Sequence, residues 1–257
     1  AVEVVNGRKP WSHYNLSALG SGSDYSPFFQ HLGIASFNMG FGGESSGGEY
    51  HTMYDSYKLY KRFKDPTFQY GITLAKVAGR TSLRLANAEV LPFEFNHFTK
   101  IVSGYVDQVS KLADKLRKET ATENHLITSG VYDLVANPKE NLTAPKTKTE
   151  IPYFNFAPIE NALKELKRQA LAFKIASKKG VQNVQNKTAV NQLLKDMERA
   201  LTRAHGLPRR PWYKHHIYAP GFYTGYGVKT LPGVREAIEQ RNFKEVKEQV
   251  DILAEVL

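Results

Sequence analysis

The sequence contains no cysteine among its 257 residues. Disulfide bonds, thiolate zinc sites and cysteine nucleophiles are therefore excluded, and any metal would have to be bound by His, Asp or Glu side chains. The sequence also has no run of about 18 apolar residues, so it predicts no membrane-spanning helix. With 41% hydrophobic and 23% charged residues, the chain can bury a core and is not a disordered polyelectrolyte.

The net charge of +10 raises the question of a nucleic-acid partner. The basic residues are dispersed, however, and many stand between acidic ones on helical stretches such as 164–174, which is typical of solvated helix faces. The segment 207–220 combines basic and aromatic residues, as a nucleic-acid patch does, but its prolines also fit a packed irregular segment. We prefer the packed segment and predict no nucleic-acid partner.

The two ends of the sequence are unusual. It begins with Ala1 and not with methionine, shows no signal peptide, and ends at Leu257 within a helical pattern that has no cap. These features favour a piece of a longer polypeptide, in which a functional site could be divided between this piece and the rest.

The first 92 residues have a mixed α/β pattern. Short strands are predicted over 2–5 and 34–37, with a helix over 24–31 between them. A second helix is predicted over 65–85, because Asp65 can cap it and the proline that follows is tolerated at the first helical position.

After residue 92 the pattern changes to long amphipathic helices. Their apolar residues recur at helical spacing, which predicts an antiparallel helical bundle. The apolar stripes could form a core or a dimer interface, and the spacing does not separate these two uses. The expected elements are a helix capped by Asn96, a long connection over 119–157, a helix from Pro158 to Gly180, a helix ending at Gly206, an irregular aromatic stretch over 207–230, and a last helix to Leu257.

Three stretches could carry chemistry. Residues 20–24 form a glycine-serine turn before a helix, which suits an anion but lacks the Gly-Lys-Ser/Thr of a phosphate-binding loop. His51 follows a glycine-rich loop and is a candidate metal ligand, although no second histidine stands at metal-binding spacing from it. His215 and His216 are adjacent and would chelate poorly, whereas residues 221–227 resemble a loop that lines a substrate pocket.

Several of these stretches, in this order and spacing, resemble the C-terminal part of the glutamate carboxypeptidase II family, which includes the transferrin receptor. The resemblance is closest to bacterial, secreted members. It implies that residues 1–92 are the second half of a zinc-aminopeptidase-like α/β domain and that residues 93–257 are a helical dimerisation domain. The matching stretches are LGSGSDYSPFFQHLGIAS, YHTMYDSY, DPTFQYGITLAKVAG, LANAEVLPFEF, GLPRRPWYKHHIYAP and LPGVREAI.

The resemblance also implies a site. Family enzymes bind two zinc ions, and His51 stands at the position of one zinc ligand. The other ligands and the general base would lie upstream, in the missing N-terminal half of the catalytic domain, so no catalytic residue is predicted within this chain. The residues implied to contact a peptide substrate are Ser21, Gly22, Ser23, Tyr50 and Tyr226.

The sequence departs from glutamate-specific members at three positions. Asn38 and Gly40 replace the arginines of a substrate-binding patch, and Gly225 replaces a lysine. These changes remove positive charge that would hold substrate carboxylates, so we expect peptides with neutral or apolar ends. Asn38 still stands at a substrate-contact position of the family and is a candidate substrate contact.

Three hypotheses follow. The first is a secreted or periplasmic di-zinc carboxypeptidase that acts as a homodimer. The second is a non-catalytic, receptor-like binding protein of the same fold. The third is that the chain by itself is an inactive structural fragment, whatever the function of the whole protein.

Overall fold

The computed structural model describes residues 18–42, 47–136, 139, 145–180 and 184–257. The strand predicted over 2–5 lies outside these residues. In the described part the fold is mostly helical, with two π-helical turns at Pro27–His31 and Tyr60–Lys64. The α-helices are α1 Tyr57–Leu59, α2 Gln69–Ala86, α3 Phe95–Thr128, α4 Val131–Val135, α5 Ala157–Gly180, α6 Lys187–Ala200, α7 Pro232–Glu239 and α8 Phe243–Val256.

A two-stranded antiparallel sheet lies within the segment that was expected to be irregular. It pairs β1 (Tyr218–Pro220) with β2 (Val228–Thr230), and Tyr218 stands opposite Thr230. The strands are three residues long each, which is too short for a hairpin to be stable by itself. The hairpin therefore depends on contacts with the helices around it.

The helix α2 begins at Gln69, four residues after the predicted start at Asp65. The residue before it, Phe68, adopts a left-handed conformation with φ 59°. Asp65 nevertheless caps the helix, because its Oδ2 accepts hydrogen bonds from the Gly71 amide and the Tyr60 hydroxyl, each at 2.9 Å. Burial acts to raise the pKa of Asp65, but these hydrogen bonds outweigh it and the pKa is lowered.

The helix α3 differs from the prediction at both ends. It begins at Phe95, and its cap is Glu94, whose Oε2 accepts the His97 amide at 2.7 Å, so the cap predicted at Asn96 is wrong. It continues to Thr128, well into the connection predicted over 119–157. Thr120 explains the extension, since its buried hydroxyl donates to the Leu116 carbonyl and accepts from Arg241, and this tertiary contact outweighs the low helix propensity of threonine.

The helices α5 and α6 follow the prediction closely except at one end. The helix α5 ends at Gly180, as predicted, and begins one residue before Pro158. The helix α6 ends at Ala200 and not near Gly206. Its continuation is blocked because the Leu201 carbonyl accepts the His216 amide at 3.0 Å and the chain then pairs with residues near His215.

The core lies among α3, α5, α7 and α8. The helix α7, which the periodicity did not predict, has six buried residues out of eight. The packing of these amphipathic helices confirms a helical domain. The core residues are Val102, Val106, Val109, Ala113, Ile159, Leu163, Leu201, Ile217, Leu231, Val234, Ala237, Ile238, Val246, Val250, Leu253 and Val256.

The strand predicted over 34–37 is wrong for this structure. These residues form no ladder, and the Ile34 amide instead donates to the Phe28 carbonyl at 2.9 Å, which closes the π-helical turn. A strand is stabilised by pairing, and the described residues supply no partner strand to this segment. The α/β half of the predicted fold therefore remains a prediction. None of the described helices has the length and apolar character needed to cross a membrane.

Candidate functional site

Two segments that are distant in sequence meet at the candidate site. We call residues 20–23 the glycine turn and residues 221–227 the tyrosine loop. The Ser21 amide donates to the Tyr226 carbonyl at 3.2 Å. A Cβ atom at Gly20 would collide with that same carbonyl, and one at Gly22, where φ is +82°, would lie 2.5 Å from the Tyr226 ring. Glycine is therefore required at both positions for the two segments to approach.

His51 faces the tyrosine loop from a third segment. Its ring stacks on Tyr50 with the centroids 3.9 Å apart, and it meets the Tyr226 ring edge-on with the centroids 6.2 Å apart. His51 has a positive φ of 61°, a conformation that is uncommon for a residue other than glycine. The structure thus brings Tyr226 together with Ser21, Gly22, Tyr50 and His51, from which it is separated by 175 to 205 residues in the sequence.

A local turn fixes the position of His51. The Glu49 carbonyl accepts hydrogen bonds from the Thr52 amide at 2.9 Å and from the Thr52 hydroxyl at 2.7 Å. The Glu49 side chain forms an ion pair with Lys64, and the hydrogen bond that Lys64 donates within this pair lowers the pKa of Glu49. The turn is therefore tied to the π-helical turn that follows α1.

The remaining two predicted contacts lie at the edge of the site or apart from it. The Ser23 carbonyl accepts the Ser26 amide at 3.0 Å, so this end of the glycine turn leads into the following helical turn. Asn38 is exposed in a segment without regular structure, and within the described part of the chain no hydrogen bond joins it to the other candidates. The role of each predicted site residue stays a prediction.

The described residues do not make a zinc site by themselves. No group of three or more His, Asp or Glu side chains among them is arranged to hold a metal ion. His51 is a single candidate ligand, and zinc in protein sites is held by three or four ligands. Zinc binding therefore remains a prediction that needs ligands beyond those described.

A buried glutamine connects the glycine turn to the segment 207–220. The Gln30 side chain is completely buried, and its Nε2 donates to the Gly20 carbonyl. Its own backbone carbonyl accepts the Lys214 amide at 2.8 Å and the His215 amide at 3.2 Å. The conformation of the glycine turn is thus set by a residue that does not line the site.

The adjacent histidines have structural roles. The Nδ1 atom of His215 accepts the amides of Ile217 and Tyr218 at 3.1 and 3.2 Å, so the ring proton is on Nε2 and donates to Glu198 at 2.8 Å. His216 is also buried, and burial lowers its pKa to about 4. Each ring is part of the packing, and the expectation that the pair would chelate a metal poorly stays a prediction.

A buried ion pair supports the tyrosine loop. The guanidinium of Arg210 contacts Glu236 on α7 and also donates to the Pro220 carbonyl. The other oxygen of Glu236 accepts the Phe222 amide at 2.6 Å. The two side chains are only 11% and 8% exposed, and burial lowers the pKa of Arg210 and raises that of Glu236. The expectation that 207–220 is a packed segment is confirmed.

Sequence reasoning missed Gln30, Arg210 and Glu236 as supports of the site. The one signal available for Glu236 is a charge among apolar residues in Pro-Gly-Val-Arg-Glu-Ala-Ile. That signal becomes informative only when the buried face of α7 is known. No comparable signal exists for Gln30, because glutamine is common at exposed helix positions.

A cavity lies between residues 18–19, which precede the glycine turn, and α3. Phe29, Phe98 and Tyr218 line it together with the carboxylates of Glu94 and Glu198. Both carboxylates have partners, since Glu94 caps α3 and Glu198 contacts His215. We therefore assign this cavity to the support of the glycine turn and not to the site.

The chain is similar to known proteins over most of its length. Residues 154–257 match the family model of the transferrin receptor-like dimerisation domain. This match and the relatives described below confirm the resemblance to the C-terminal part of the glutamate carboxypeptidase II and transferrin receptor family. The matched residues fall within the predicted domain 93–257, and the boundary at residue 92 remains a prediction.

Individual relatives carry peptidase names. The chain is 34% identical over 220 residues to a probable glutamate carboxypeptidase of Arabidopsis thaliana. The matched region covers 86% of this chain and 27% of the relative. It is 30% identical over 239 residues to a probable glutamate carboxypeptidase of Arthroderma benhamiae, covering 92% of this chain and 29% of the relative. An aminopeptidase of Rattus norvegicus is 24% identical over 251 residues, and the matched region covers 94% of this chain and 29% of the relative. The chain thus spans less than a third of each of these relatives.

Proposed function

We propose that this chain is the substrate-facing and dimerising C-terminal part of a di-zinc exopeptidase that hydrolyses C-terminal peptide bonds of small peptides. The observation that carries the proposal is the convergence of His51, Tyr226 and the glycine turn at one place. The names of the relatives support a peptidase over other activities.

In this proposal the described residues bind and orient the peptide. The glycine turn offers close approach to its backbone, and the exposed rings of Tyr50 and Tyr226 offer phenol groups to the substrate's C-terminal residue. His51 contributes one zinc ligand. The remaining ligands and the general base would come from the rest of the peptidase, whose relatives are much longer than this chain.

The proposed substrate has a neutral or apolar C-terminal residue. Asn38, Gly40 and Gly225 carry no charge at the positions where glutamate-specific members have basic side chains. Without those cations, a second carboxylate on the substrate would lose a charge-assisted partner. A screen of dipeptides that differ only in the last residue should therefore rank leucine or alanine above glutamate.

Two protein partners are part of the proposal. Residues 28–83 expose many large apolar side chains, including Phe28, Phe41 and Phe63 at 51%, 55% and 69%, and we propose that the first half of the catalytic domain covers them. We also propose a homodimer through the helical domain. The exposed Leu193 and Met197 lie one turn apart on α6 and are candidates for its interface, so Leu193→Glu should shift the mass in solution from dimer to monomer.

The deciding experiment measures bound zinc per subunit in the intact peptidase, with His51→Ala and, as a matched control, His205→Ala. Both histidines are exposed, but the resemblance implies a ligand role only for His51. We expect two zinc ions per subunit, loss of zinc in His51→Ala, and a fall in dipeptide hydrolysis of more than about 100-fold, beyond the loss typical of outer-shell partners. The control should match the parent.

Two other outcomes would change the assignment. Unchanged zinc and hydrolysis in His51→Ala would remove His51 as a ligand. No zinc and no hydrolysis in any form would favour the receptor-like binding protein. For the chain by itself we expect no peptidase activity, and hydrolysis by the purified chain would contradict that expectation.

A further inference from the structure

The hydrogen bonds within the tyrosine loop do not by themselves hold the loop against the glycine turn. The loop's internal hydrogen bonds join the Gly221 amide to the Gly227 carbonyl at 2.9 Å and the Gly227 amide to the Thr224 carbonyl at 3.0 Å. The Thr224 amide also donates to the Gly221 carbonyl at 3.3 Å, and the Thr224 hydroxyl donates to the Gly227 carbonyl at 2.7 Å. These bonds close the loop at its base, next to β1 and β2. They do not determine where Tyr226 lies relative to the glycine turn. At the tip of the loop the Ser21 amide donates to the Tyr226 carbonyl at 3.2 Å, which is a single backbone contact on an exposed segment.

The pair Arg210–Glu236 supplies a second constraint, at the base of the loop. Arg210 donates to the carbonyl of Pro220, the last residue of β1, and Glu236 accepts the amide of Phe222, the second residue of the loop. Glu236 belongs to α7, where Val234, Ala237 and Ile238 are at most 1% exposed. One ion pair therefore links the base of the loop to the most deeply buried helix of the domain.

The chemistry of the pair suits this role. A guanidinium presents planar, diverging donors, so Arg210 can contact a carboxylate and a backbone carbonyl at the same time. Glu236 uses one oxygen for Arg210 and the other for the loop amide. A lysine could neutralise Glu236 but could not hold both acceptors in a fixed geometry.

We propose that Arg210 and Glu236 are a positioning pair that holds Tyr226 against the glycine turn and so sets the width of the peptide site. The effect on substrate rests on the proposed function, whereas the effect on the position of Tyr226 does not. The pair acts through the loop and touches no candidate substrate contact directly.

The first test follows Gly22 by NMR in this chain. The Tyr226 ring lies against Gly22, so its ring current should shift the Gly22 α-proton signals, and Tyr226→Leu defines the shift that remains without the ring. In Arg210→Lys we expect the Gly22 signals to move at least halfway towards those of Tyr226→Leu. The control Arg241→Lys should not move them, since Arg241 bonds to Thr149 and Thr120.

A second variant guards against simple unfolding. Glu236→Gln keeps a carbonyl oxygen for the Phe222 amide and removes the charge that faces Arg210. We expect a smaller shift of the Gly22 signals in the same direction, with an unchanged helical circular dichroism spectrum. If the Gly22 signals of both folded variants coincide with those of the parent, the positioning role is refuted.

The second test separates this inference from the proposed function. In the intact peptidase, Arg210→Lys should raise KM for a dipeptide by about tenfold and change kcat by less than about twofold, as expected when uniform binding is lost. Shifted Gly22 signals with an unchanged KM would support the pair and remove Tyr226 from the substrate contacts. If the unsubstituted intact peptidase does not hydrolyse dipeptides, the proposed function is refuted. The NMR test would still decide whether Arg210 and Glu236 position Tyr226.

Discussion

The helices α2 and α7 show how differently two parts of this chain are stabilised. The helix α2 has 18 residues and none of them is buried, whereas α7 has eight residues and six are buried. Both contain several apolar residues. The difference is that α7 packs between β1, β2, α3 and α8, while apolar side chains of α2 such as Ile72 and Leu83 stay exposed.

The same contrast separates residues 18–92 from residues 93–257. Among the described residues, all members of the main hydrophobic cluster lie between Val102 and Val256. The first region contacts the second through the buried ring of Phe29, which packs against His215 and Tyr218. Polar contacts also join the two regions, such as the Leu91 amide with the Asn191 side chain at 2.9 Å and Lys187 with Glu89. Burial of apolar surface therefore stabilises mainly the second region, whereas one buried ring and several hydrogen bonds place the first region on it.

The largest expected effect is the loss of stability when an ion pair is broken in the second region, compared with one in the first region. Arg210→Ala leaves Glu236 buried without its counterion and should lower the free energy of unfolding by about 3–5 kcal/mol. Lys64→Ala removes the partner of Glu49 at an exposed position and should leave the urea midpoint nearly unchanged. Equal losses in the two variants would show that the first region is held as firmly as the second.

A core substitution gives the next effect. Ile238 is fully buried, so Ile238→Ala should cost about 2–5 kcal/mol from lost burial and the cavity left behind. Ile72, at 45% exposed, is its matched control on α2, and Ile72→Ala should cost less than about 0.5 kcal/mol. Urea unfolding of this chain measures both. A cost above about 2 kcal/mol for Ile72 would mean that the face of α2 is covered in solution.

The pH dependence of stability provides the smallest effect. Burial lowers the pKa of His216 from 6.5 to about 4, so its neutral form stabilises the fold above pH 6.5 and this contribution is lost as the pH falls towards 4. The loss amounts to at most about 3 kcal/mol. Thermal unfolding at several pH values should show a shallower decline in His216→Gln than in the parent.

The exposed histidine at position 125 serves as the control for this measurement. His125→Gln should decline with acid as steeply as the parent, because the carboxylates that also titrate in this range are common to all three proteins. An equally steep decline in His216→Gln would contradict the assignment of this acid sensitivity to His216.

Local signals in the sequence predicted several elements well. The apolar stripe of α5, the proline near its start and Gly180 at its end gave bounds within one residue. The capping role of Asp65 was also correct, although α2 begins four residues later than predicted. These features depend on neighbours within a few residues, which is why a single sequence contains them.

Other elements depended on contacts between distant residues. The extension of α3 past residue 119 rests on Thr120 with Arg241, and the early end of α6 rests on Leu201 with His216. The strand predicted over 34–37 failed for the same reason, since strand propensity without a partner strand produces no ladder. Local pattern alone could not reveal any of these outcomes.

For the candidate site, the sequence by itself determined which residues were available: a glycine turn, a Tyr-His pair, an aromatic loop and no cysteine. Only the tertiary structure decided that Gly22 lies under the Tyr226 ring, that His215 and His216 are structural, and that Arg210 and Glu236 hold the loop. The physical reason is that burial and pairing of polar groups are set by residues far apart in the chain, whereas helix spacing and capping are set within one or two turns.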